Sequence, residues 1–169
     1  MTEVKRFYET FYPEHYDIYL DISREKKRFH GKTVVIGEAQ EELVKLNQKY
    51  LKITSVRVDQ KKADFNYNDK DEVINIEAGK VGKMKIEVDF EGKLTDTMMG
   101  IYPSYYEVDG EKKQLIGTQF ETTFARQAFP CVDEPEAKAT FALAIKFDEK
   151  PGESIISVSY THLTLPTTE

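Results

Sequence analysis

The feature that most constrains this chain is a two-residue alternation of apolar and polar side chains that recurs along it. Tyr16, Ile18, Leu20 and Ile22 alternate with Asp17, Tyr19 and Asp21. Successive side chains of a strand point to opposite sides, so this spacing buries one face and wets the other. The rhythm returns at 83–90, where Met84, Ile86, Val88 and Phe90 alternate with Lys85, Glu87 and Asp89. It returns again at 139–147, where Phe141, Leu143, Ile145 and Phe147 alternate with Ala142, Ala144 and Lys146. Further strands are expected at 31–39, 43–47, 51–58, 63–67 and 72–77; within 31–39, Val34 and Ile36 share one face, Thr33 and Val35 the other.

Turn residues separate these runs, at Asn68-Asp69-Lys70-Asp71 and Gly79-Lys80-Val81-Gly82. Asp109-Gly110-Glu111, set between 101–108 and 114–120, reads as the tip of a hairpin. Many short strands about 8–12 residues apart indicate an all-β sandwich or bent sheet rather than βαβ units. One brief helical stretch is expected at 121–128, ended by Pro130. A length of 169 residues suits one domain, and the chain shows no internal repeat or linker.

Composition narrows the function classes. With 40% hydrophobic residues, 10 Tyr and 10 Phe, the chain can build a core and is not a disordered segment. A net charge of −6 argues against a nucleic-acid or anionic-membrane partner. No window approaches the ~20 apolar residues of a membrane span. No apolar run follows Lys5-Arg6, so no secretory signal is read there. The single Cys131 cannot form an internal disulfide, and both points favour a reducing, cytoplasmic home.

Motifs that carry chemistry are mostly missing. His15, His30 and His162 have no second His or carboxylate at helical metal-ligand spacing, and none lies in H-E-x-x-H. His15 begins a strand and His30 precedes a turn expected at Gly31; both read as structural or solvent-facing. Cys131 has no His nearby and reads as a small buried residue in a Pro-bounded turn. Arg24-Glu25-Lys26-Lys27-Arg28 and Gln60-Lys61-Lys62 read as solvated hairpin tips.

The exception is 98–141. Met98 to Tyr106 is dense in aromatics, and Gly117 to Pro135 mixes polar and apolar residues without a period. Such a breakdown of patterning marks either a functional segment or a capped turn crossing the edge of the sandwich.

Within that segment Gly100-Ile101-Tyr102, Thr118-Gln119-Phe120-Glu121, the run Ala125-Arg126-Gln127-Ala128-Phe129-Pro130-Cys131-Val132-Asp133-Glu134-Pro135 and Lys138-Ala139-Thr140-Phe141 closely resemble zinc aminopeptidases of the aminopeptidase N type. Phe11-Tyr12-Pro13-Glu14-His15-Tyr16-Asp17 resembles that family's first strand. The resemblance covers 5–156 and implies a saddle-like β-domain, incomplete at its C-terminus, that packs on a zinc-bearing catalytic domain. It implies that the two His of H-E-x-x-H and a later Glu bind Zn2+, that the Glu within the motif is the general base, and that a Tyr steadies the oxyanion. None of those positions lies in this chain, nor does the G-A-M-E-N segment, so the polypeptide alone is expected to hold no metal and to be inactive.

The resemblance further implies that Glu121 binds the free α-ammonium of a peptide substrate and that Gln119 lines the pocket for its first residue. Arg126, Asp133 and Glu134 are expected to fix the turn, or the contact with the missing catalytic domain, through ion pairs. The competing reading is a non-catalytic relative that uses the same β-domain as a scaffold. The stretch 158–169 resembles the translation of a sequencing adapter, so the natural domain is expected to occupy 1–157; a Thr-rich edge strand is the alternative. A sheet cut near 157 is expected to leave an open edge and poor solubility.

Overall fold

The computed structural model describes residues 6–148 and 151–152. Residues 1–5, His162 and the whole 158–169 stretch lie outside the described residues. Eleven strands run in chain order: β1 Phe11–Ser23, β2 Arg28–Ala39, β3 Leu43–Asn47, β4 Lys52–Val58, β5 Lys61–Lys62, β6 Phe65–Asn68, β7 Val73–Glu77, β8 Gly82–Lys93, β9 Gly100–Val108, β10 Glu111–Gln119 and β11 Thr140–Phe147. The described helical elements are two 3-10 turns, Phe7–Glu9 and Ala125–Gln127. No helix among the described residues is long and apolar enough to cross a membrane.

The strands form a six-stranded sheet in the order β11-β1-β2-β8-β4-β5, a three-stranded sheet β3-β7-β6 and the separate hairpin β9–β10. The expected alternation decides which side faces inward. Tyr16, Ile18, Leu20 and Ile22 of β1 are buried, as are Phe29, Thr33 and Val35 of β2 and Ile86, Val88 and Phe90 of β8. Val44, Leu46, Ile74 and Ile76 of the smaller sheet join them in one core cluster, so the two sheets pack as a sandwich. Pro13 sits inside β1, but at a register shift against β2 and before the pairing with β11 begins at His15. A bulge is where a strand tolerates a missing N–H.

Three expectations need correction. First, Gly31 is no turn. It lies within β2 opposite Phe90, and a Cβ there would sit 2.3 Å from Phe90 Cζ. Gly92 stands in the same relation to Phe29, at 2.2 Å. Each phenyl ring covers the glycine on the neighbouring strand, and the two rings meet edge to face with centroids 6.4 Å apart. Second, Arg24 is not solvated, although Glu25, Lys26, Lys27 and Arg28 are exposed. Its Nε donates to Asp148 Oδ1 at 3.1 Å and its guanidinium lies over the Phe147 ring, so burial is offset by an ion pair. Third, 121–128 is a run of turns ending in the 3-10 helix, not an α-helix. Eight residues with adjacent β-branched Thr122 and Thr123, stopped by Pro130, cannot offset the cost of helix nucleation.

Strand β11 lies parallel to β1, placing Phe141 and Leu143 beside Tyr16 and Ile18 on the core side. They are nevertheless 59% and 53% exposed.

On the outer face Glu87 is held between Lys32 (2.8 Å) and Lys85 (2.9 Å) with its side chain only 10% exposed. Hydrogen bonds from Lys32 and then Lys85 lower its pKa from 4.5 to about 2. A depressed carboxylate stabilises the fold fully above pH 4.5, and that contribution disappears as pH falls from there to about 2. Since both lysines are partly wet, the effect is on the order of 1–2 kcal/mol. Glu87→Gln should therefore flatten the acid limb of stability against pH; an unchanged limb would count against the pairing. Gly92→Ala should cost about 1–3 kcal/mol in urea unfolding because the Phe29 ring must shift, and a loss under 0.5 kcal/mol would show that the ring has room.

Candidate functional site

The hairpin delivers the candidate site. Asp109 (φ 54°) and Gly110 (φ 80°) make the tight turn that the sequence marks, and β10 then runs to Gln119. Beyond it the chain leaves the sheet, so its backbone polar groups need partners outside a ladder. They find them in successive turns: Phe124 N donates to Phe120 O (3.0 Å), Gln127 N to Phe124 O (3.0 Å) and Ala128 N to Ala125 O (2.8 Å).

Gln119 and Glu121 lie at the start of this loop and both are exposed. The Gln119 side-chain oxygen accepts a hydrogen bond from Glu121 N at 3.0 Å, so the two meet through the backbone of one and the side chain of the other. Among the described residues none pairs with the Glu121 carboxylate. Between them, the half-buried Phe120 turns inward and meets Phe129 edge to face, with centroids 5.9 Å apart. The loop thus presents a charged acceptor outward on an aromatic anchor.

The far end of the loop is fastened to both sheets. Cys131 and Asn47 exchange two backbone hydrogen bonds, at 2.7 and 3.1 Å. Asn47 Oδ1 also accepts from Asp133 N at 3.0 Å. The buried Tyr16 hydroxyl accepts from Val132 N at 3.1 Å, and its ring stacks on Phe141 at 5.1 Å. Burial, and then the nearby Cys131, push the Tyr16 phenol well above its ordinary value.

Arg126 and Asp133 form an ion pair with Nε 2.9 Å from Oδ2, and Arg126 Nη1 reaches Glu72 Oε2 at 3.3 Å. Glu134 accepts from Phe7 N (2.9 Å) and Tyr8 N (3.2 Å), tying the N-terminal 3-10 turn to the same loop. Gly100, at φ 67°, lets β9 pass close to the loop: a Cβ there would sit 2.8 Å from Gln127 Cβ.

The remaining candidates carry no chemistry. Cys131 is buried, and burial pushes its thiol well above the ordinary value, so it is a packed side chain and not a nucleophile. His15 bridges Thr140 Oγ1 (2.7 Å) and Asp17 Oδ1 (3.2 Å), joining β1 to β11. His30 is exposed, 3.9 Å from Glu91. Among the described residues no group of three or more His, Cys, Asp or Glu side chains converges.

Sequence reasoning missed Asn47, Tyr16 and Glu72 as supports of the loop. Tyr16 alone left a trace: a hydroxyl on the inward face of a strand must find a partner.

These features define a class: a β-sandwich domain that pins an irregular, carboxylate-bearing loop beyond its hairpin. Residues 12–161 match the Peptidase M1 N-terminal domain, and the chain belongs to that family. It is 62% identical over 154 residues to an aminopeptidase N of Lactobacillus delbrueckii subsp. lactis, a match covering 91% of this chain and 18% of the relative. An aminopeptidase N of Lactococcus lactis subsp. cremoris (strain MG1363) is 53% identical over 91% of the chain and 18% of the relative. A leucyl aminopeptidase of Saccharolobus solfataricus is 36% identical over 84% of the chain and 17% of the relative. The chain therefore spans about a fifth of the length of the curated relatives it matches.

Proposed function

We propose that this domain belongs to a zinc-dependent metalloaminopeptidase and supplies the anchor for the α-ammonium of a peptide substrate. Family membership and relatives named aminopeptidase support a peptidase. The observation that carries the reading is the Glu121 carboxylate, exposed and unpaired among the described residues at the start of a loop whose turns bond largely to one another.

An exopeptidase must distinguish a terminal ammonium from an internal amide. A carboxylate held at a fixed position does so, because an internal peptide leaves it without a partner. A charge-assisted hydrogen bond of this kind is worth about 2–3 kcal/mol. Gln119 holds the Glu121 backbone and borders the space for the substrate's first side chain. The zinc, the general base and the oxyanion donor belong to sequence this chain does not contain, and no step of hydrolysis is carried by its own residues. The lone buried thiol fits a cytoplasmic site of action on peptides with free N-termini.

In the full-length enzyme, Glu121→Ala should raise KM for an aminoacyl anilide about 30- to 150-fold, the equivalent of 2–3 kcal/mol. Metal content should stay at the wild-type level. Unchanged KM would remove Glu121 from ammonium binding. This chain by itself should show no hydrolysis; metal-dependent turnover by it would overturn the division of labour.

A further inference from the structure

We infer that Arg126 is a positioning residue for Glu121, holding the 119–129 loop against the turn at Asp133 and the β6–β7 and β3–β4 connections so that the carboxylate meets the substrate ammonium at a fixed place. The inference rests on the α-ammonium reading of Glu121. It begins from the absence of any ladder between Gln119 and Thr140 other than the bridge at Cys131. The turns from Phe120 to Phe129 bond chiefly to one another, which makes the loop a compact unit without fixing that unit to the domain.

Two attachments fix it. One is apolar: Phe129, which meets Phe120 within the loop, packs edge to face on Tyr16 of β1 at 6.5 Å. The other is Arg126, whose side chain is 13% exposed and which reaches three separate segments. Toward the turn after the bridge, its Nε and backbone N donate to Asp133 Oδ2 (2.9 and 3.3 Å), and Nη2 donates to Asp133 O (3.4 Å). Toward the β6–β7 turn, Nη1 donates to Glu72 Oε2 (3.3 Å). Toward the β3–β4 connection, its carbonyl accepts from Lys49 N (2.8 Å), and Lys49 in turn pairs with Glu72.

The chemistry needs arginine. A planar fork with several donors can hold Asp133 and Glu72 at once and fix the orientation of the backbone that carries it. Lysine would keep the charge but offer a point donor that cannot span both carboxylates. An apolar contact such as Phe129–Tyr16 resists separation yet permits sliding and rotation, because dispersion has little directionality. The guanidinium therefore restrains the loop in the direction the rings leave free. Glu121 lies five residues from Arg126, within the same chain of turns, so a rotation of the loop moves its carboxylate.

The test is a double-mutant cycle in the full-length enzyme, with Arg126→Gln, Glu121→Ala and both together, read as KM and kcat on an aminoacyl anilide. Arg126→Gln should raise KM about tenfold with kcat within twofold, and should change KM less than twofold once Glu121 is already Ala. A residue with a merely structural role would lower melting temperature and active fraction and would shift KM equally in both backgrounds; that additive result overturns the inference. Unchanged KM in Arg126→Gln overturns it as well. Should Arg126→Gln fail to fold, Arg126→Lys serves in the same cycle, with an intermediate rise in KM expected that also vanishes without Glu121. If Glu121→Ala alone leaves KM unchanged, the ammonium reading falls and this inference with it. An effect of Glu121→Ala combined with an additive cycle removes only Arg126.

Discussion

The clasp between Arg126 and Asp133 is the interaction on which the distinctive part of this structure depends. Regular strands satisfy most of their backbone groups through ladders, as the core sheets here do. The chain from Gln119 to Thr140 cannot, and a buried, unpaired amide costs more than a formed hydrogen bond returns. Asn47, Tyr16, Asp133 and Glu134 each provide a polar atom where a ladder is missing. Without those partners the loop keeps the backbone bridge at Cys131, the Arg126 carbonyl on Lys49 N, the pair with Glu72 and its ring contacts.

On the proposed reading, placement matters because an anchoring carboxylate is useful only at a defined distance from the ammonium it binds. The sandwich supplies a rigid base of interlocked aromatic and aliphatic side chains, and the hairpin supplies a stiff approach. The presenting segment is the few residues between Gln119 and Phe124, where a side-chain oxygen holds the Glu121 amide. The design separates a framework from a short presenting segment, as binding loops on β-scaffolds commonly do.

Much of the framework was legible in the residues. Leu43–Asn47 was read to its bounds, and the Asp109-Gly110 turn placed the hairpin because few dipeptides accept that backbone. The run 63–67 reads as one strand, and the strand found there is Phe65–Asn68. In the fold, Lys61–Lys62 pairs with β4 of the large sheet and Phe65–Asn68 with β7 of the small one, so the chain changes sheets between them. Periodicity records which side is buried, not which neighbour is paired. Gly31 misled for a related reason: a glycine covered by a ring on the next strand looks, in one dimension, like a glycine in a turn. At the site, Gln119 and Glu121 were reached only through resemblance. The ion pairing of Arg126 and Asp133 is expected, but their distant partners are not, since Glu72 lies 54 residues before Arg126 and Asn47 lies 86 before Asp133. No local pattern encodes such a meeting.

The parallel pairing of the first strand with the last has a consequence for synthesis. His15 waits for Thr140, and Asp21 for Lys146, each partner lying 125 residues further along the chain. At a ribosomal pace of about 5–20 residues per second, that delay is about 6–25 s. Throughout that interval the flank of β1 that β11 will occupy is open to any passing strand. One edge of β1 pairs at once with its neighbour β2, while the other waits for the end of the described chain.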